Sequence, residues 1–115
     1  MLKGIFVPTF TAFTANGDLD LSATIDHANW LLKTDIAGLI PFGTFGEGAS
    51  LSLEEMKLIT SELLKIKGDK HVIPTLITNS LGTIKEFLTW LESTDVTHAM
   101  VLPPSYFQPA DTEAM

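Results

Sequence analysis

The stretch Ile36–Glu55, "IAGLIPFGTFGEGASLSLEE", decides the fold. Its apolar opening, Ile36–Gly43, is short and bounded by glycine, which fits a buried strand better than a helix. Ser52 and Glu55 stand three apart in "SLEE", the capping-box spacing in which each side chain satisfies a backbone N–H at a helix start. The helix that follows buries Met56, Ile59, Leu63 and Ile66, and Gly68 is its natural stop. Between strand and helix lies a loop with glycines at 43, 46 and 48. One β-loop-α unit is therefore legible from end to end.

The same unit recurs on both sides of it. "GIFVPTF" at Gly4–Phe10 reads as a first strand, closed by the turn-like Thr14–Asp18. From Asp20, Leu21, Ile25, Ala28 and Leu32 line one face of a helix that ends near Lys33–Thr34, with Asp26, Asn29 and Lys33 on its polar face. "HVIPTLIT" at His71–Thr78 makes a third strand, in which Pro74 is awkward because proline cannot donate to a central ladder. A third helix is expected from about Thr83 to Glu92, with Ile84, Phe87, Leu88 and Leu91 inward and Thr83 and Glu86 as a second capping box. "HAMVLPP" at His98–Pro104 is a fourth strand. Strand starts recur about every 30 residues, the length of a βα unit with short loops. Apolar strands alternating with amphipathic helices imply an α/β fold with a parallel sheet and right-handed crossovers. That periodicity admits two architectures, a small open doubly wound sheet or the first half of an eight-fold barrel.

Composition narrows the function classes. The 115 residues make one domain at most, with 45% hydrophobic and 18% charged residues, enough to pack a core. The formal charge of −7 sets 14 acidic residues against seven lysines, with no arginine. Nucleic-acid binding, which draws on clustered Lys and Arg, is disfavoured. The absence of cysteine excludes disulfides and thiolate metal sites and fits a reducing, cytoplasmic setting. No segment has the layout of a signal peptide or the ~20-residue apolar run of a membrane span. His27, His71 and His98 lack ligand spacing, so no metal site is expected. Trp30, Trp90, Met56 and Met100 read as packing residues.

In either architecture the ligand site gathers at the carboxyl ends of the strands. The residues there are Pro8 and Thr11, Gly43 to Glu47, Thr78 and Asn79, and Ser105 and Tyr106. Gly43-Thr44-Phe45-Gly46 stands out because a glycine turn can point successive N–H groups at one carboxylate or phosphate. It is neither a P-loop, lacking the lysine, nor a dinucleotide fingerprint. The same loop also reads as a strand-to-helix turn whose glycines serve geometry alone. Tyr106 carries a phenol that either relays protons within a chain of hydroxyls or packs on the surface. Glu47 is either a desolvated base or an acid stabilised by a helix start.

Taken together, the motifs resemble the dihydrodipicolinate synthase and N-acetylneuraminate lyase superfamily of pyruvate-dependent class I aldolases. The resemblance is carried by "GIFVPTFTAFTANGDLD", "GTFGEGASLSLEE", Asn79 after the third strand, and "PPSYFQP", in order along essentially the whole chain. It implies a (β/α)8 barrel of which residues 1–115 are the N-terminal half, stopping after strand four. It also implies a lysine that forms a Schiff base with pyruvate or another 2-oxo acid, no cofactor, and a homo-oligomer. On the matching positions, Gly43, Thr44 and Phe45 would offer backbone N–H groups to the substrate carboxylate. The Thr44 hydroxyl and Tyr106 would form a proton relay, and Pro8 would line the pocket.

The chain departs from the family pattern at Phe45, where a second threonine or serine is usual, at Ala12, and in "PTLITN". The apolar wall and the "PPSYF" loop look closer to 2-keto-3-deoxygluconate aldolase-like members. The Schiff-base lysine belongs to later strands, and no lysine of this sequence falls at a strand's carboxyl end. Two other classes compete with the aldolase reading. One is a non-catalytic half-barrel that self-associates; the other is a small α/β module that binds an anion through the Gly43–Gly46 loop.

Overall fold

The computed structural model describes residues 2–44 and 46–102. Its elements run β1 (Phe6–Pro8), α1 (Leu21–Leu32), β2 (Gly38–Ile40), α2 (Leu53–Ile66), β3 (His71–Val72), β4 (Thr75–Leu76), α3 (Leu81–Leu91) and β5 (Met100–Val101), with a single 3-10 turn at Gly48–Ser50 before α2. All the strand pairs are parallel: β1 on β2, β2 on β3, and β4 on β5. Each strand is shorter than the apolar run that signalled it. β2 ends at Ile40, three residues before Gly43, because the chain turns sharply at Phe42.

Pro74 explains why the third strand appears as two pieces. The amides of His71, Ile73 and Thr75 donate to the carbonyls of Ala37, Leu39 and Pro41, so the ladder toward β2 is continuous through the proline. The intervening residues face β5, where the carbonyls of Pro74 and Leu76 accept from Met100 and Leu102. The missing N–H of Pro74 thus falls on the β5 side alone, at a cost of one ladder bond. The proline is tolerated in an inner strand because only one neighbour needed its donor.

The helices form where the apolar spacing places them, with two corrections at their ends. On α2 the capping box is complete, Glu55 N donating to Ser52 Oγ at 3.1 Å and Ser52 N to Glu55 Oε1 at 2.9 Å. Helix α3 starts two residues earlier than expected. Its cap is Ser80, whose Oγ accepts from Thr83 N at 3.1 Å, so Thr83 lies inside the first turn. Glu86, expected as the capping partner, instead faces Lys57 of α2 at 3.8 Å. On α1, Asp20 caps through a bond from Ala23 N, and the Lys70 ammonium donates to the Leu32 and Thr34 carbonyls at the other end. A cation on those carbonyls also complements the helix dipole.

Leu39, Phe42, Ile59, Leu63, Leu76 and Phe87 are fully buried and form the centre of the core, between sheet and helices. Trp90 packs against that core, but Trp30 is 64% exposed, because it lies beside Ala28 and Leu31 rather than on their face. Met56 is buried, whereas Met100 is 46% exposed on β5 with Val101 and Leu102 beside it. On α1, His27 stacks against Phe10 with ring centroids 3.9 Å apart. Burial holds the imidazole below its ordinary pKa, since desolvation penalises the charged ring.

Candidate active site

The parallel sheet brings the carboxyl ends of β1, β2 and β4 to one edge. Pro8 is in register with Ile40, so the first two strands end level. Thr9 N continues their ladder by donating to Ile40 O at 3.1 Å. From that level the chain of β1 passes under the glycine loop, and the Thr11 hydroxyl donates to Gly46 O at 2.8 Å across 35 residues of sequence. Pro8 and the Gly43–Gly48 loop therefore share one end of the sheet.

The loop is organised by a residue that the sequence did not single out. Phe42 is completely buried yet has a φ of 70°, in the left-handed region that a bulky side chain rarely adopts. Such a conformation costs roughly 1–2 kcal/mol. Its ring offsets that cost by burial and by an edge-to-face contact with Phe87, at 6.5 Å and 79°. The outcome is a sharp reversal directly after β2, with the side chain anchored in the core and the next residues thrown outward. No period in the sequence marks such a residue; its neighbours Pro41 and Gly43 only say that a strand is ending.

The three loop glycines divide by function. A β-carbon on Gly46 would stand 2.6 Å from the Thr9 carbonyl oxygen, and one on Gly48 would overlap the Phe42 carbonyl. Both positions need glycine for close backbone approach. At Gly43 no described atom lies within 4 Å of where a β-carbon would stand, and its φ lies outside the left-handed region. Packing demands nothing there. Two bonds close the loop, from Glu47 N to Thr44 O and from Gly48 N to Gly43 O, both at 3.1 Å. Thr44, at the apex, is exposed.

Glu47 is exposed, without the burial on which a base role would rest. Thr78 sits at the end of β4, where its hydroxyl accepts from Ser80 N at 3.1 Å. Phe45, Ser105 and Tyr106 lie outside the described residues. None of the seven lysines lies at the carboxyl end of a strand: Lys57 and Lys65 lie on α2 in contact with Glu54, Glu86 and Glu62, Lys85 lies on α3, and Lys3, Lys33, Lys67 and Lys70 lie on loops or helix ends, Lys70 just before β3. Among the described residues no three His, Asp or Glu side chains come together as metal ligands, and no helix is long and apolar enough to cross a membrane.

Comparison with known proteins agrees with this arrangement. The model of the dihydrodipicolinate synthetase family matches residues 1–115. N-acetylneuraminate lyase A of Xenopus laevis is 32% identical over 117 residues, covering 99% of this chain and 38% of that protein. The 4-hydroxy-tetrahydrodipicolinate synthase of Rhizobium meliloti (strain 1021) is 30% identical over 112 residues, covering 95% and 37%. The solved N-acetylneuraminate lyase of Proteus mirabilis superimposes with a TM-score of 0.86 at 25% identity, over 96% of this chain and 38% of that one. The chain thus spans about 38% of the length of the relatives it matches. Of the two architectures that the βα periodicity admits, it has the one in which parallel strands and outer helices form the N-terminal part of a TIM barrel. By a match along its whole length, on a fold of the same order, the chain belongs to the dihydrodipicolinate synthetase family.

Proposed function

We propose that this chain is the N-terminal part of a single (β/α)8 barrel that forms a Schiff base with pyruvate or another 2-oxo acid and makes or breaks a carbon–carbon bond. The backbone N–H groups of Gly43, Thr44 and Phe45 hold the substrate carboxylate, and Pro8 lines the pocket at the end of β1. The Thr44 hydroxyl and Tyr106 pass protons to and from the reacting centre. The lysine belongs to a later strand: its amine adds to the C2 carbonyl, water leaves, and the protonated imine takes up the electron pair of the bond that breaks at C3. In the direction of synthesis the same imine loses a C3 proton, and the resulting enamine adds to an aldehyde. In cleavage the enamine left behind is protonated at C3, and in both directions hydrolysis of the imine then returns the lysine and releases the oxo acid.

The observation that carries this reading is the contrast among the glycines. Gly46 and Gly48 are required by packing, whereas Gly43 faces open space at the carboxyl end of β2 beside the exposed Thr44. A glycine with open space at its α-carbon leaves its backbone free for close approach by a ligand. The apolar β5 edge, with Met100, Val101 and Leu102 exposed, supports a sheet that continues into further strands. The lack of cysteine fits a cytoplasmic setting, and membership of the family supports a homo-oligomer.

Pyruvate titration of the isotopically labelled chain tests the loop. Shifts confined to Gly43, Thr44 and their neighbours are expected, with inorganic phosphate as the competing anion; no response to pyruvate refutes the assignment. Borohydride reduction with pyruvate, followed by mass measurement, tests the lysine. No specific adduct is expected on this chain, and a stoichiometric adduct on one of its seven lysines would overturn the placement of the Schiff base.

A further inference from the structure

We infer that Thr11 is a positioning residue for the Thr44 loop, acting through the carbonyl of Gly46. The inference rests on the reading of that loop as the substrate-holding one. Thr11 is 7% exposed, and its hydroxyl bond to Gly46 O, at 2.8 Å, ties the segment after β1 to the loop after β2. What gives the tie its leverage is that Thr11 is itself held on both sides. Thr9 is fixed to β2 through Ile40 O. Ala12 is fixed to the start of α1 twice, its N–H donating to Thr24 Oγ1 at 2.9 Å and its carbonyl accepting from Asp20 N at 2.8 Å. The Thr24 hydroxyl in turn donates to Asp20 O at 2.8 Å. Thr11 is thus part of a frame built on β2 and α1, and it cannot follow the loop if the loop moves.

The bond reaches the site through one peptide plane. Holding Gly46 O toward Thr11 sets the opposite direction of the following N–H, that of Glu47, which donates to Thr44 O at 3.1 Å. The Gly48 N–H closes the same loop on Gly43 O. Because Gly46 is buried, with the Thr9 carbonyl and the Phe42 backbone against it, its carbonyl has no ready access to water as a substitute donor. Loss of the Thr11 hydroxyl therefore frees the peptide between Gly46 and Glu47 to rotate, and the Glu47 bond that shapes the turn at Thr44 goes with it.

Thr11→Val removes the hydroxyl at nearly constant shape, and Thr11→Ser keeps it. Amide hydrogen exchange of the full 115-residue chain, followed by NMR, reads the effect directly. In Thr11→Val, protection of the Glu47 and Gly48 amides is expected to fall about tenfold, the size of one buried hydrogen bond, while Lys67 and Ile73, which bond to Leu63 O and Leu39 O away from the loop, keep theirs. Thr11→Ser is expected to restore protection to within about threefold. Equal loss at all four amides means a merely structural role and overturns the inference, as does an unchanged loop or one already unprotected in the unsubstituted chain. Pyruvate titration of the same samples separates the two readings. A Kd raised about tenfold in Thr11→Val and recovered in Thr11→Ser links the frame to binding; if the unsubstituted chain binds no pyruvate, the loop's substrate assignment fails while the exchange result on Thr11 stands.

Discussion

Gly46→Ala probes the loop where it touches the rest of the molecule. The added β-carbon would stand 2.6 Å from Thr9 O, 3.0 Å from Phe42 N and 3.4 Å from Phe42 Cα. A carbon–oxygen contact relaxes at about 3.4 Å, so roughly 0.8 Å must be recovered. None of the three atoms belongs to a side chain that can rotate away. Thr9 is pinned by the β1–β2 ladder, and Phe42 is pinned by its buried ring. Backbone displacement of this kind costs about 1–3 kcal/mol. With a urea dependence of about 1.5 kcal/mol per molar, a loss of about 2 kcal/mol lowers the unfolding midpoint by about 1.3 M. Trp30 and Trp90 report the transition by fluorescence. Gly43→Ala is the internal control, because its β-carbon meets no described atom and the stiffer unfolded chain raises stability by about 0.4–1 kcal/mol. On the proposed reading of the loop, the same control is expected to weaken pyruvate binding, since the methyl would enter the space assigned to the carboxylate. A Gly46→Ala midpoint equal to that of the unsubstituted chain would refute the packing argument, and with it the division among the glycines.

Thr60, on α2, is completely buried and its hydroxyl has no hydrogen-bond partner among the described residues, so Thr60→Val is expected to stabilise the chain by about 1 kcal/mol, seen as a higher urea midpoint. His27 binds its proton less readily folded than unfolded, so its contribution to stability is complete above the ordinary histidine pKa of 6.5 and is lost as the pH falls below that value toward the depressed folded one. The midpoint should accordingly fall further between pH 7.5 and 5.5 in the unsubstituted chain than in His27→Gln; equal falls would exclude the linkage. Phe87→Ala removes the partner of Phe42 and a fully buried ring, with an expected loss of about 3–5 kcal/mol in the same denaturation assay.

The parts of the site that were legible in the sequence are those encoded by local chemistry. Ser52 and Glu55 satisfy each other's backbone N–H groups wherever the chain goes, so the start of α2 was readable from four letters. The glycine loop was readable as a turn at a strand end, because glycine is tolerated there and costly elsewhere. Helix α3 was misread by two residues because Ser80 and Thr83 both carry a capping hydroxyl, and only the path of the chain out of β4 decides which one faces the helix start.

Sequence alone determined the βα rhythm, the parallel sheet it implies, the end of that sheet where ligands gather, and the motifs that mark the family. Each of these rests on interactions within a few residues, or on a hydrophobic period that one element carries by itself. Tertiary structure decided the rest. Pro74 is harmless because its missing donor faces β5 alone, which depends on the register of three strands. Phe42 can hold a left-handed backbone because Phe87, 45 positions further on, completes its burial. Thr11 can reach the loop because β1 and β2 end level, which makes a hydroxyl 35 residues away the nearest donor to Gly46. Contacts of that range are products of packing, and no local pattern in the chain encodes them.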